Sequence, residues 1–118
     1  MGAGVAFRIA SVTKRVTATA LLVLADRGRC GLDDPTGHCF PGDVVDRFRD
    51  SDGRGYGAAI TLGQLLDHTS ALPNYFSHPS ILDAVRHGGG QRRFTPLDLV
   101  NLAGPGAPPS LPLGAART

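Results

Sequence analysis

Ser11 and Lys14 are the residues whose types and spacing could do chemistry. A serine hydroxyl is a weak nucleophile unless a base takes its proton. An unprotonated lysine amine is such a base. Helix positions three apart share a face, so the two groups can meet. The pair stands at the head of an apolar run, Val16 to Ala25, that reads as a helix. The chain holds eleven Arg and one Lys, and that Lys falls at this spacing. The first turn of a helix carries the positive end of the dipole and prefers Asp or Glu. A cation there is a local conflict, and such conflicts concentrate at functional sites. Without chemistry, the same residues read as an N-capping Ser and an exposed Lys. Four-residue motifs arise often by chance.

The elements that must position the pair follow from pattern and punctuation. Helix one is expected over roughly Ser11 to Arg27, stopped by Gly28 in left-handed conformation. Its apolar residues nearly encircle it, which predicts a buried helix. A capping box at Thr61 and Gln64 opens helix two, which stops near His68. Leu21 and Leu24 are expected to be buried against Leu65 and Leu66. Helix three spans about Pro79 to His87, with Gly88 beyond it. Helix four spans about Pro96 to Ala103, with Thr95 as cap and Asp98 in its first turn. Between helices one and two, Gly28 to Gly42 reads as loop and Asp43 to Phe48 as a short helix. Asp50 to Gly57 reads as an exposed, mobile connection. No segment reads as a strand, so the fold class is mostly α.

Composition narrows the function classes. With 118 residues and 42% hydrophobic content, the chain suits one small domain. Sixteen Gly and nine Pro break it into short pieces, and Trp is absent. The net charge of +2 comes from scattered Arg, and every acidic residue is Asp. A nucleic-acid surface needs basic residues gathered on one face, and Arg92-Arg93 alone does not supply it. The longest near-continuous apolar run, Ala18 to Ala25, is too short to span a bilayer. No charged region precedes an apolar run at the N-terminus, so no signal peptide is expected. Cys30 and Cys39 lie in a turn-rich segment and are expected as free thiols. A zinc site built from Cys30, His38 and Cys39, or from His78 and His87, is disfavoured. Zinc ligands come in close pairs from four residues, and the one close pair here is adjacent. No cofactor is implied.

Phe7-Arg8-Ile9-Ala10-Ser11-Val12-Thr13-Lys14 resembles the nucleophile segment of the serine β-lactamase and penicillin-binding protein superfamily. The nearest branch is the class C-like one, with D-alanyl-D-alanine carboxypeptidases and esterases. Gly31-Leu32-Asp33-Asp34-Pro35 resembles the segment after that family's central helix. The stretch Ile60 to Pro73 is similar to its helix-plus-turn signature, and Thr95 to Val100 to a later helix start. The resemblance covers about residues 6 to 103. It implies that residues 1–103 are the helical part of an α+β fold whose sheet is missing, followed by an irregular Gly/Pro/Ala-rich tail over 104–118. It implies Ser11 as the nucleophile that forms an acyl-enzyme, Lys14 as proton acceptor, and a peptide or small-molecule substrate with a reactive carbonyl. It also suggests an extracytoplasmic setting.

The departures are equally specific. The family's Tyr-x-Asn motif is not found after Tyr56 or Tyr75, and its Lys- or His-Thr-Gly strand motif is absent. The turn carries Ala71 where the family usually has Gly, which is strained if that position needs positive φ. Two readings therefore stand: a serine hydrolase fragment, weakly active or inactive alone, and a small helical interaction module derived from such an enzyme.

Overall fold

The computed structural model describes residues 4–50, 52–86 and 93–103. These are mostly helical and contain no strand. The chain divides into two compact units, residues 1–32 and 33–118. Gly88 and the tail over 104–118 lie outside the described residues.

In the first unit, helix α1 spans Val12–Asp26 with Ser11 before it. Ala and Leu dominate its second half, and both favour helix. Thr17 and Thr19 turn their hydroxyls back onto the carbonyls of Thr13 and Arg15, a self-contained way to keep Thr within a helix. Gly28 ends it as anticipated. Its φ is +65, its N–H donates to the Ala25 carbonyl, and the Arg29 N–H reaches the Leu24 carbonyl. These two bonds form a Schellman motif, which a residue with a Cβ closes only under strain.

The expectation that α1 is buried does not hold. None of its residues is buried, and Leu24 remains 44% exposed. Leu21, Leu65 and Leu66 are only partly covered. An apolar circumference states what a helix would gain from burial, not what lies over it. Cys30 and Cys39 are free thiols. No helix among the described residues is long and apolar enough to cross a membrane.

The second unit has its own core. Val45, Phe48, Ile60, Leu62, Ala71, Ile81 and Ala103 are its buried apolar residues, with Thr36 and Ser70 as buried polar ones. The core is closed by pairing between distant segments. Pro35 and Thr61 form an antiparallel bridge. The Thr36 N–H donates to the Ile60 carbonyl at 2.7 Å, and the Leu62 N–H to the Asp34 carbonyl at 3.0 Å. The Thr36 hydroxyl donates to the Gly57 carbonyl at 2.6 Å, which satisfies a buried donor. Gly57 must be glycine for space, because a Cβ there would collide with the Val45 carbonyl oxygen.

Short elements frame this core. A 3₁₀ turn covers Thr36–His38. Helix α2 is a single turn, Gly42–Val45, where a longer helix to Phe48 was expected. The described part of the Asp50 to Gly57 stretch is exposed over Asp52 to Gly55, as expected, and is folded into an antiparallel turn. The Asp50 carboxylate accepts from the N–H groups of Asp52 and Arg54, and Arg49 bridges to Gly55. Asp and Gly in such a run signal a turn that the Asx side chain closes on itself.

Helix α3 spans Leu62–Leu66 and has the full capping box at Thr61 and Gln64. Helix α4 spans Pro79–Arg86 and α5 spans Pro96–Ala103. Thr95 and Asp98 cap α5 reciprocally: the Asp98 N–H donates to Thr95 Oγ1 and the Thr95 N–H to Asp98 Oδ2. His78 caps α4, with Nδ1 accepting from the Ser80 N–H at 3.2 Å.

Candidate active site

Ser11 occupies the junction between an irregular lead-in and α1. The residue before it, Ala10, has φ +46, a region that costs an L-residue roughly 1–2 kcal/mol. Strain of this kind clusters at functional sites. The first turn is closed by carbonyls of the lead-in: the Val12 N–H donates to Ile9, and the Thr13 N–H to Ala10. Those donors therefore do not need a side-chain cap. The Ser11 hydroxyl makes no capping hydrogen bond. It accepts instead from Lys14 Nζ at 3.3 Å. Ser11 stands at the N-cap position without a capping side-chain bond, and its hydroxyl meets the amine instead. Both side chains are exposed. The Ser11 backbone N–H has no hydrogen-bond partner among the described residues.

No acidic residue lies in the first turn of α1. The cation at Lys14 thus meets the positive end of the helix without a carboxylate to offset it. Within this unit the arrangement offers a hydroxyl, an amine within contact distance and a free backbone donor. That set can attack a carbonyl and move one proton.

The other residues singled out by sequence are engaged elsewhere. His78 serves as the α4 cap. His38 lies in a 3₁₀ turn, and His87 is outside the described residues. Among the described residues, no group of three His, Cys, Asp or Glu side chains could hold a metal ion.

The turn after α3 is strained at two residues. His68 has φ +64 and Ala71 has φ +57. Ala71 thus adopts the conformation that glycine would adopt freely. His68 is the left-handed residue of a second Schellman-type end, with the Thr69 N–H donating to the Gln64 carbonyl at 3.0 Å. Asp67 ties the turn down. Its Oδ1 accepts from the Thr69 hydroxyl at 2.6 Å and the Thr69 N–H at 3.0 Å. These two bonds, the hydroxyl first, hold its carboxyl below the ordinary aspartate range. Tyr56 shifts the other way. Burial, then the nearby Asp50 charge, pushes its phenol above 10.0.

Ser11 and Lys14 thus stand together at the head of α1, and comparison with known proteins gives the chain a family. Residues 1–109 match the Beta-lactamase family, and the chain belongs to that family. It is 41% identical over 66 residues to Esterase EstB from Burkholderia gladioli, covering 56% of this chain and 16% of that protein. It is 42% identical over 67 residues to the D-alanyl-D-alanine-carboxypeptidase/endopeptidase AmpH from Escherichia coli K12, with the same two coverages. A crystal structure of a D-stereospecific amidohydrolase from Streptomyces sp. superposes with a TM-score of 0.78 at 34% identity. That match covers 95% of this chain and 32% of the amidohydrolase. The chain thus spans 16% of the length of the curated relatives it matches. These relatives are hydrolases.

Proposed function

We propose that this chain carries the nucleophile half of a serine hydrolase site, with Ser11 as nucleophile and Lys14 as its base. The observation that carries the reading is the 3.3 Å contact between Lys14 Nζ and Ser11 Oγ, on a hydroxyl that caps nothing. Contacts between nucleophile and base are often this long before substrate is bound.

The chemistry balances in two halves. Ser11 Oγ attacks the carbonyl carbon of an amide, ester or β-lactam while its proton passes to Lys14 Nζ. The charge that develops on the carbonyl oxygen is met by the Ser11 N–H. The tetrahedral species collapses, the leaving amine or alkoxide takes the proton from Lys14, and an ester to Ser11 remains. Water then attacks that ester, gives its proton back through Lys14, and releases the acid. The names of the relatives support carbonyl substrates of this class, and they do not choose among them.

The described residues offer one oxyanion donor. Losing a single donor from such a hole costs about 10²–10³ in rate. The Tyr-x-Asn and Lys- or His-Thr-Gly motifs, which would supply the opposing groups, do not occur in this sequence. The 118-residue chain by itself is therefore expected to show no turnover above a Ser11→Ala control.

The test is a chimera in which residues 1–109 replace the matching segment of the Streptomyces amidohydrolase. Hydrolysis of an ester or amide should appear, and a fluorophosphonate should label the Ser11 peptide. Activity surviving Ser11→Ala in the chimera would refute the assignment. Loss of labelling with a folded chimera would favour the second reading, a non-catalytic helical interaction module.

A further inference from the structure

Helix α1 is entered through a tight turn. The Val12 N–H donates to the Ile9 carbonyl at 3.1 Å, which closes four residues, Ile9 to Val12. The two central residues have φ of opposite sign: Ala10 at +46, and Ser11 at −66 with ψ −9. A positive φ at the first central residue and a negative one at the second define a type II′ turn. Glycine usually holds that first position, and here it is Ala10. Ala10 is exposed, so burial of its methyl group does not offset the strain.

The turn decides what Ser11 can do. A capping serine sits in extended backbone, from which its oxygen reaches an N–H two or three residues on. Ser11 is held in helical backbone instead. The N–H groups that it would cap, those of Thr13 and Lys14, donate to the Ala10 and Ser11 carbonyls, each at 3.1 Å. Its Oγ is left 3.3 Å from Lys14 Nζ. From this we infer that Ala10 is a positioning residue of the Ser11 site. Its positive φ keeps the hydroxyl from capping α1 and presents it to the amine. The inference rests on the reading of Ser11 as nucleophile and Lys14 as base.

The test varies residue 10 in the amidohydrolase chimera. It reads the rate at which a fluorophosphonate labels Ser11, with kcat and KM for an ester. Glycine takes positive φ freely, Asn tolerates it, and β-branched Val does not. Asn and Val are similar in size, so crowding would affect both alike. Ala10→Gly and Ala10→Asn should stay close to the parent. Ala10→Val should lower labelling and kcat roughly tenfold, the rate equivalent of the backbone strain it must bear. KM should hold, because residue 10 acts through Ser11. An Ala10→Val chimera as fast as the parent would overturn the inference, and so would Ala10→Asn falling with Ala10→Val. A chimera never labelled at Ser11 would refute the nucleophile reading and this inference with it. A measurement without catalysis stands beside these. In the 118-residue chain, Ser11→Ala should leave the urea midpoint where it is, whereas loss of a capping serine lowers it. A lowered midpoint would show Ser11 capping α1 and overturn the inference whatever the chimera does.

Discussion

Ser11 and Lys14 were legible as a pair because chain composition makes one Lys conspicuous and helix geometry fixes its face. What spacing did not reveal was that lead-in carbonyls already satisfy the first N–H groups of α1, which frees the hydroxyl. In the chimera with the amidohydrolase, Lys14→Ala should lower kcat/KM by at least about 10², within the usual range for a general base, with Ser11→Ala at background. A second residue-scale prediction weighs two strained positions against each other. His68 is exposed, so His68→Gly relieves its left-handed strain and loses no burial. After about 0.4–1 kcal/mol of added unfolded-state entropy, roughly 0.5–1 kcal/mol of stabilisation should remain. Ala71 is buried, so Ala71→Gly also gives up about 0.8 kcal/mol of methyl burial and should come out near zero. Urea midpoints of the two variants check the order. The Ala71 conformation could be suspected from the sequence because glycine usually stands there. His68 gave no such signal, since left-handed helix ends announce themselves only through Gly or Asn.

Elements were read best where a cap is written in the sequence. Thr61 with Gln64, Thr95 with Asp98, and Gly28 each mark an end of a helix, and each works through its own local hydrogen bonds. The turn at Asp50 was not read from the sequence, because its closure runs through a carboxylate and two N–H groups that periodicity does not register. His78 was weighed as a ligand and turned out to be a cap, since a ring nitrogen at that position reaches the first N–H of α4, that of Ser80. Thr61→Ala should cost about 1 kcal/mol through the lost cap. Gly57→Ala should cost more, on the order of 1–3 kcal/mol, because the new methyl meets backbone and not a movable side chain. Thermal denaturation of both variants, with the larger shift expected for Gly57→Ala, measures this.

For the molecule as a whole, burial was the least legible quantity. Sequence marks which residues prefer to leave water, but the surface that covers them is set by the rest of the chain. Val12, Val16 and Leu24 show the gap. With that much apolar surface in water, the purified 118-residue chain is expected to melt over a broad range and to bind a hydrophobic dye. A sharp cooperative transition without dye binding would contradict this. Alkaline stability gives a second global check. The Tyr56 phenol is raised in the folded state, first by burial and then by Asp50. Between its unfolded value, 10.0, and the higher folded one, the unfolded chain holds fewer protons. Stability from this group is therefore present below pH 10 and lost as pH rises through the folded value. The Tyr56 hydroxyl is enclosed with no partner among the described residues. Tyr56→Phe should thus be neutral to stabilising by about 1 kcal/mol, and it should remove the alkaline loss. Stability measured from pH 8 to 11 on both chains decides it.

The Thr36 to Gly57 hydrogen bond has a kinetic consequence. It joins residues 21 apart in sequence, and closing a loop of that length is opposed by chain entropy that grows only slowly with length. The same closure brings the Thr36 N–H to Ile60 and the Leu62 N–H to Asp34. None of these three contacts is cheap to make alone, and each becomes cheap once another exists. The Thr36 and Leu62 amides should therefore exchange with deuterium together, through a shared opening. The Thr13 amide, whose acceptor is three residues away, should exchange on its own and earlier.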